Sequence, residues 1–394
     1  MREVHGCVAL ALAAAHRVRP TVRGLLIALA SFALVALAGV GFARWRLSRA
    51  DAALEAFWRS TLGGASFLER YPPTRDNATV LELERLGAGI GFEMAQPDAV
   101  GHPHPTPDAA QSFAAVKDEI KSYLEPSAAP EDGVYPPLSP AVAVFLDEVR
   151  STLDAVVALL VASSPPVWES DLTRGFEAPV PNYLGILNLQ RLLGVEALEQ
   201  ARSGHPERAL AVLEAFWRLD EAVRASPILI AQLISQVDLK IQQQTLHSLS
   251  AAPPVWRMRM AAIDLRRGVY VGLQAEAFMA HYAASLDRPL GGEEIPPSTA
   301  PFIRWGLRDH AQRLQPMIEE LVRRDIRSLD PDDFDREMKD RIPRWQLIAR
   351  LMLPNFWDAW PRAARTELSA DLTARIFEER VRQAEGGPLW AADR

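Results

Sequence analysis

Apolar residues return three and four positions apart through most of the chain, the repeat that places them on one face of an α-helix. In residues 141–162 that face is Val142, Phe145, Leu146, Val149, Leu153, Val156, Val157 and Leu160. Residues 183–202, 206–225, 228–249, 255–286, 301–328 and 362–384 carry the same pattern. Starts are marked by a hydroxyl or carboxylate followed by proline, at Thr106-Pro107, Ser139-Pro140, Ser226-Pro227 and Asp330-Pro331. The first side chain accepts from an orphan helix N–H, and proline has no N–H to orphan. Alternating runs of Val, Ile and Thr are nearly absent, so the body is expected to be all-α and multi-helical.

A different pattern occupies Gly24 to Ala43, GLLIALASFALVALAGVGFA, twenty residues without a charge. At about 1.5 Å per residue they would cover roughly 30 Å of hydrocarbon, which predicts an N-terminal transmembrane helix. Arg44, Trp45 and Arg46 would then lie at the membrane interface. The basic Arg17, Arg19 and Arg23 ahead of the apolar run, and Ala36-Leu37-Ala38 within it, also fit a cleaved signal peptide. With the basic tail retained inside, the expectation is a single-pass protein of the cytoplasmic (inner) membrane whose body lies on the extracytoplasmic side.

These patterns divide the chain into a basic tail (1–23), the apolar segment (24–43), a juxtamembrane helical region (45–96), a Pro-rich linker or insert (97–137) and a main helical domain (138–394). Nine prolines fall between Pro97 and Pro140, including His102-Pro103-His104-Pro105-Thr106-Pro107.

Charge and cysteine content narrow the chemistry. The 394 residues hold 43 Lys+Arg against 50 Asp+Glu, a net charge of -7. Residues 1–50 contain seven Arg and one acid, leaving 36 bases against 49 acids in the rest. An acidic body lacks the phosphate-neutralising surface that nucleic-acid binding needs, so no nucleic-acid partner is expected. The sole cysteine is Cys7, which excludes disulfides, thiolate zinc sites and a cysteine nucleophile from the body.

No H-E-x-x-H, G-x-S-x-G, S-x-x-K or phosphate-loop motif occurs. No catalytic, cofactor-binding or metal-binding residue is therefore assigned, and no cofactor is expected. His102 and His104 with Asp108 offer a minor metal-binding alternative, and Glu276, His281 and His310 could supply acid–base chemistry only if the fold gathered them. Gly87-Ala88-Gly89-Ile90-Gly91 follows a helical run and reads as a helix C-cap. The aromatics of 213–218 and 355–360 read as packing residues.

Tyr183 to Ala225, broken at Arg202-Ser203-Gly204-His205-Pro206-Glu207, with Ala209 and Leu213 spaced for close packing, resembles one tetratricopeptide-type helix pair. With the N-terminal apolar segment and Leu351-Met352-Leu353-Pro354-Asn355 before a last helix, the chain also resembles a group of uncharacterised bacterial single-pass membrane-anchored helical proteins. Their final helix ends in a two-tyrosine motif, and both tyrosines are missing from Ile376 to Pro388 here. The resemblance implies location and architecture without an activity. The function expected is a non-enzymatic, envelope-anchored scaffold or protein-interaction module with a protein partner. The alternatives are an envelope hydrolase built on carboxylates and histidine, or a lipid or small-molecule carrier.

Overall fold

A computed structural model describes residues 27–384 apart from 28, 35–37, 39–44, 46–47, 50, 53, 61, 97–99, 126–134, 250–252, 285–299, 327–328 and 343–356. The chain divides into two compact units, residues 1–66 and 67–394. In the first, a helical stretch buries Leu54 and Trp58, one turn apart, and pairs Arg59 with Glu55 at 3.2 Å. Its chain then turns through Gly63 and Gly64, both at positive φ.

The expected transmembrane helix is corrected. A span needs about 20 continuous apolar helical residues, and among the described residues no helix is long and apolar enough to cross a membrane. Within Gly24 to Ala43 the described positions are Ile27, residues 29–34 and Ala38; residues 29–34 rise only about 9 Å. The remaining positions lie outside the described residues. The single-pass inner-membrane placement and the extracytoplasmic body rested on that helix and go with it. Of the interface residues, Arg44 and Arg46 also lie outside the described set, while Trp45 is helical and exposed under the Arg49 guanidinium.

The second unit is all helix among its described residues, apart from loops and one isolated antiparallel bridge, Thr74 with Ser170. A single helical turn, Phe67–Arg70, leads to α1 (Ala78–Ile90), α2 (Pro107–Tyr123) and α3 (Pro140–Ala162). A 3-10 segment (Leu172–Glu177) precedes α4 (Tyr183–Arg202), α5 (Pro206–Arg224) and α6 (Leu229–Ser248). Then follow α7 (Pro254–Ala261), α8 (Leu265–Ala283), α9 (Ala300–Arg323), α10 (Pro331–Arg341) and α11 (Ala359–Ala384).

Thr106, Ser139 and Asp330 cap α2, α3 and α10 with their side-chain oxygens, each with proline at the first helical position. Helix α2 thus falls inside the Pro-rich stretch. The run at 255–286 is two helices, because Asp264 accepts from Arg267 N and opens a new N-terminus. Gly91 ends α1 at φ 109°, donating to Gly87 and Ala88 carbonyls as the C-cap reading requires. A Cβ there would stand 2.3 Å from the Ala109 carbonyl oxygen of α2, so only glycine lets α2 return so close.

Helices α4 and α5 form a hairpin through Ser203, Gly204 and His205, and α3 packs on its α5 side. Helix α6 is the hub, packed against α4, α5, α8 and α11. Its approach to α4 depends on Gly194, where a Cβ would lie 2.4 Å from Ile241 Cγ2. Wholly buried Leu189, Leu192, Leu193, Leu213, Phe216 and Leu219 fill the hairpin.

Candidate functional site

The end of the bundle beside the α5–α6 turn is built from loops that tie one another down. Thr74 Oγ1 donates to Trp168 O at 2.7 Å, Glu169 N donates to Asp76 Oδ1 at 2.7 Å, and Asn77 Nδ2 donates to Pro165 O at 2.8 Å. Gln96 Nε2 donates to Val180 O at 2.7 Å, and Asn182 N donates to Met94 O at 2.9 Å. Prolines 165, 166, 179 and 181 favour extended backbone on either side of the 3-10 segment and remove donors that these stretches would otherwise have to satisfy.

Three adjoining recesses result. The central one, about 230 Å³, is lined by Tyr71, Pro166, Trp168, Pro181, Tyr183 and Ile228 among others, with Arg70 at its edge. It shares Trp168, Glu169, Pro179 and Pro181 with a smaller recess of about 70 Å³ that adds Asp76, Glu84, Gln96 and His102. It shares Tyr71, Ala225, Ser226 and Pro227 with a second recess of about 230 Å³ that adds Arg224, Gln232, Asp264 and Arg267. The order along the surface is therefore acidic, apolar, basic. Arg70 and Arg267 have no ion-pair partner among the described residues.

At the acidic end, His102 Nδ1 lies 2.7 Å from Glu84 Oε2 and its Nε2 lies 3.7 Å from Asp76 Oδ2. The Glu84 hydrogen bond raises the His102 pKa above its ordinary value. Burial raises the Glu84 carboxyl, outweighing the lowering by His102, because only 2% of that residue is exposed. In the central recess Tyr183 donates from its hydroxyl to Ser226 Oγ at 2.9 Å, and burial pushes that phenol up to about 12. Ser226 is thus not the helix cap expected of it; Ile228 occupies the N-cap position of α6.

The structure separates the histidine pair. His104 Nδ1 meets Glu93 Oε1 at 2.9 Å while His102 faces Glu84, and Asp108 is an exposed residue in the first turn of α2. Among the described residues no group of three or more His, Cys, Asp or Glu is placed to hold a metal ion. Nor are Glu276, His281 and His310 gathered into a working set. Burial alone pushes Glu276 up to about 7, and among the described residues neither imidazole bonds to it. His310 is buried in α9, and His281 packs edge-on to Tyr282. Phe216, Trp217, Trp357 and Trp360 are core residues, with Trp217 edge-on to Trp256 at 5.6 Å.

One constellation has no counterpart in the motif search. Gln190, Asp220, Ser235, Asp238 and Gln242 of α4, α5 and α6 are all 0% exposed. Behind the basic recess, Arg224 Nε stands 3.2 Å from Asp220 Oδ2 and the guanidinium lies over Trp217 at 4.6 Å. The sequence does hold a signal, since Ser235, Asp238, Gln242 and Thr245 recur at helical spacing on one line of α6. No known protein family, curated protein or solved structure matches this chain.

Proposed function

We propose that this protein is a non-enzymatic docking module that takes an extended segment of a partner protein along the acidic–apolar–basic groove. The observation that carries the reading is the fixed order of the three recesses, joined by shared walls at Trp168 and Tyr71. The occupant has a basic side chain for Asp76 and Glu169, an apolar one for the Trp168–Ile228 recess, and a carboxylate for Arg267. Each recess is smaller than the about 300–1,000 Å³ that usually enclose a small-molecule ligand, which favours successive side chains over a carried lipid. His102 is poorly placed as a general base, because both ring nitrogens face carboxylates and the raised pKa favours the imidazolium, which has no lone pair to accept a proton. The acidic balance of residues 51–394 adds a field that attracts a segment with a basic end.

Fluorescence anisotropy with short synthetic peptides tests the reading. Peptides with basic, apolar and acidic residues, in both chain directions, are compared with versions in which Glu replaces the basic residue. One direction should bind at least about tenfold more tightly than its Glu version, equivalent to about 1.4 kcal/mol. Trp168→Ala and Glu169→Lys should each remove that preference. Equal binding of the charge variants, or binding indifferent to Trp168→Ala, would refute the proposal.

A further inference from the structure

The buried polar layer between α4, α5 and α6 leaves three of its four carboxylate oxygens without a hydrogen bond from a described residue. Asp220 and Asp238, on facing helices, are both 0% exposed. Asp220 Oδ2 has Arg224 Nε at 3.2 Å and Gln242 Nε2 at 3.5 Å. Neither oxygen of Asp238 accepts a hydrogen bond from a described residue, and Asp220 Oδ1 and Gln242 Oε1 are also unmet. Ser235 Oγ lies toward Asp220 without reaching hydrogen-bond geometry.

An ionised carboxylate without donors in a dry interior costs several kcal/mol, and a second carboxylate beside it adds to that cost. Arg224 can balance one charge, and it is engaged with Asp220. We infer that Asp220 and Asp238 form a proton-binding site that keeps one proton at neutral pH, resting on Asp238, while Asp220 stays ionised against Arg224. The pair therefore titrates as a unit.

The charged groups around the pair support this assignment. Arg191 of α4 faces Asp238 and favours its ionisation, but it is partly exposed and makes no hydrogen bond to either Asp238 oxygen. On α5, Arg224 favours ionisation and Glu221 opposes it. Helix α6 adds only uncharged Ser235 and Gln242 here, and further along the same helix α11 meets Gln243 and His247 with Ser369 and Thr373. Burial lowers the His247 pKa, so that imidazole is neutral at pH 7. Burial and then Asp220 drive the Asp238 carboxyl well above its ordinary range, and burial raises Asp220 as well.

The native state then keeps a proton that the unfolded chain releases above about pH 4. Stability falls as pH rises between that value and the folded pKa, by about tenfold in the folding constant per pH unit. Two measurements on the full chain test the inference. Infrared spectra at pH 7 should show a protonated-carboxyl C=O component, additional to that of Glu276, that disappears in Asp238→Asn. It should disappear in Asp220→Asn too, because Asp238 then ionises against the freed Arg224. A band untouched by Asp238→Asn overturns the proposal. Loss in Asp238→Asn with retention in Asp220→Asn overturns the shared proton. Denaturant unfolding between about pH 5 and pH 7 gives a second readout that needs only Asp238→Asn, which mimics the protonated side chain. Its stability should fall less steeply with pH than that of the wild type, and identical slopes overturn the proposal.

Discussion

His102 and Glu84 are joined at 2.7 Å although they lie on opposite sides of the Gly91 turn, one in the loop before α2 and the other in the body of α1. The bond closes the acidic end of the groove over a carboxylate that water barely reaches.

Its pH dependence has a defined sign. His102 is raised in the folded state, so its contribution is complete below the ordinary imidazole pKa of about 6.5 and is lost as pH rises through the folded value. Raised Glu84 acts in the same direction, since its proton is held more tightly in the fold. The 100–106 loop should therefore exchange its amides faster at pH 9 than at pH 6, beyond the intrinsic increase in exchange rate. His102→Ala should cost about 2 kcal/mol at pH 6 by leaving Glu84 without its partner.

Glu276 gives a second pH signature. Its carboxyl is raised to about 7 by burial, against about 4.3 in an unfolded chain, so stability is lost as pH climbs through that window. Linkage bounds the loss at about 4 kcal/mol, and the partial exposure of the side chain reduces the expected value to about 2. Glu276→Gln should be more stable than the parent at pH 8 and no more stable at pH 4, as read from denaturant midpoints.

Two glycines should respond unequally to a methyl group. A Cβ at Gly185 would stand 1.8 Å from the Glu93 carbonyl oxygen, a backbone atom fixed by the loops around the groove. Gly185→Ala should cost about 3 kcal/mol. Gly204, in the α4–α5 turn at φ 80°, has open space around it, so Gly204→Ala should cost only its backbone strain of about 1 kcal/mol. Thermal unfolding of the two variants checks the order.

Removing the cap that splits residues 255–286 should loosen one helix end. Asp264→Ala leaves Arg267 N without its side-chain acceptor, at a cost of about 1 kcal/mol. Faster amide exchange confined to the first turn of α8 would show it; unchanged exchange there would contradict the capping role.

Much of the helical body was legible because it rests on local physics. Period and caps placed α3 at 140–162 and the starts of α2 and α10, and the Gly204–Pro206 break separated α4 from α5. Ser226-Pro227 misled because α6 begins only at Leu229, so the hydroxyl accepts from Ile228 N ahead of the helix and from Tyr183, a contact 43 positions away that no local pattern contains. Asp264 within an apolar-periodic run concealed a helix boundary for the same reason, since cap and interior residue look alike until the backbone is known. The groove was not legible, because Tyr71, Trp168 and Arg267 come from three separated segments. The histidine pair shows the limit most plainly. Two imidazoles two residues apart suggested a shared ligand, and the loop sends each to a different carboxylate.

Gly91 has a consequence beyond ending a helix. With no side chain at 91, α2 can start against the end of α1, and the loop that leads into α2 carries His102 back over Glu84. The charge at one end of the groove is thus set by a residue that carries none. A methyl group at position 91 would lever α2 outward, swing the imidazole from its seat and leave the groove more negative without altering any ionisable residue.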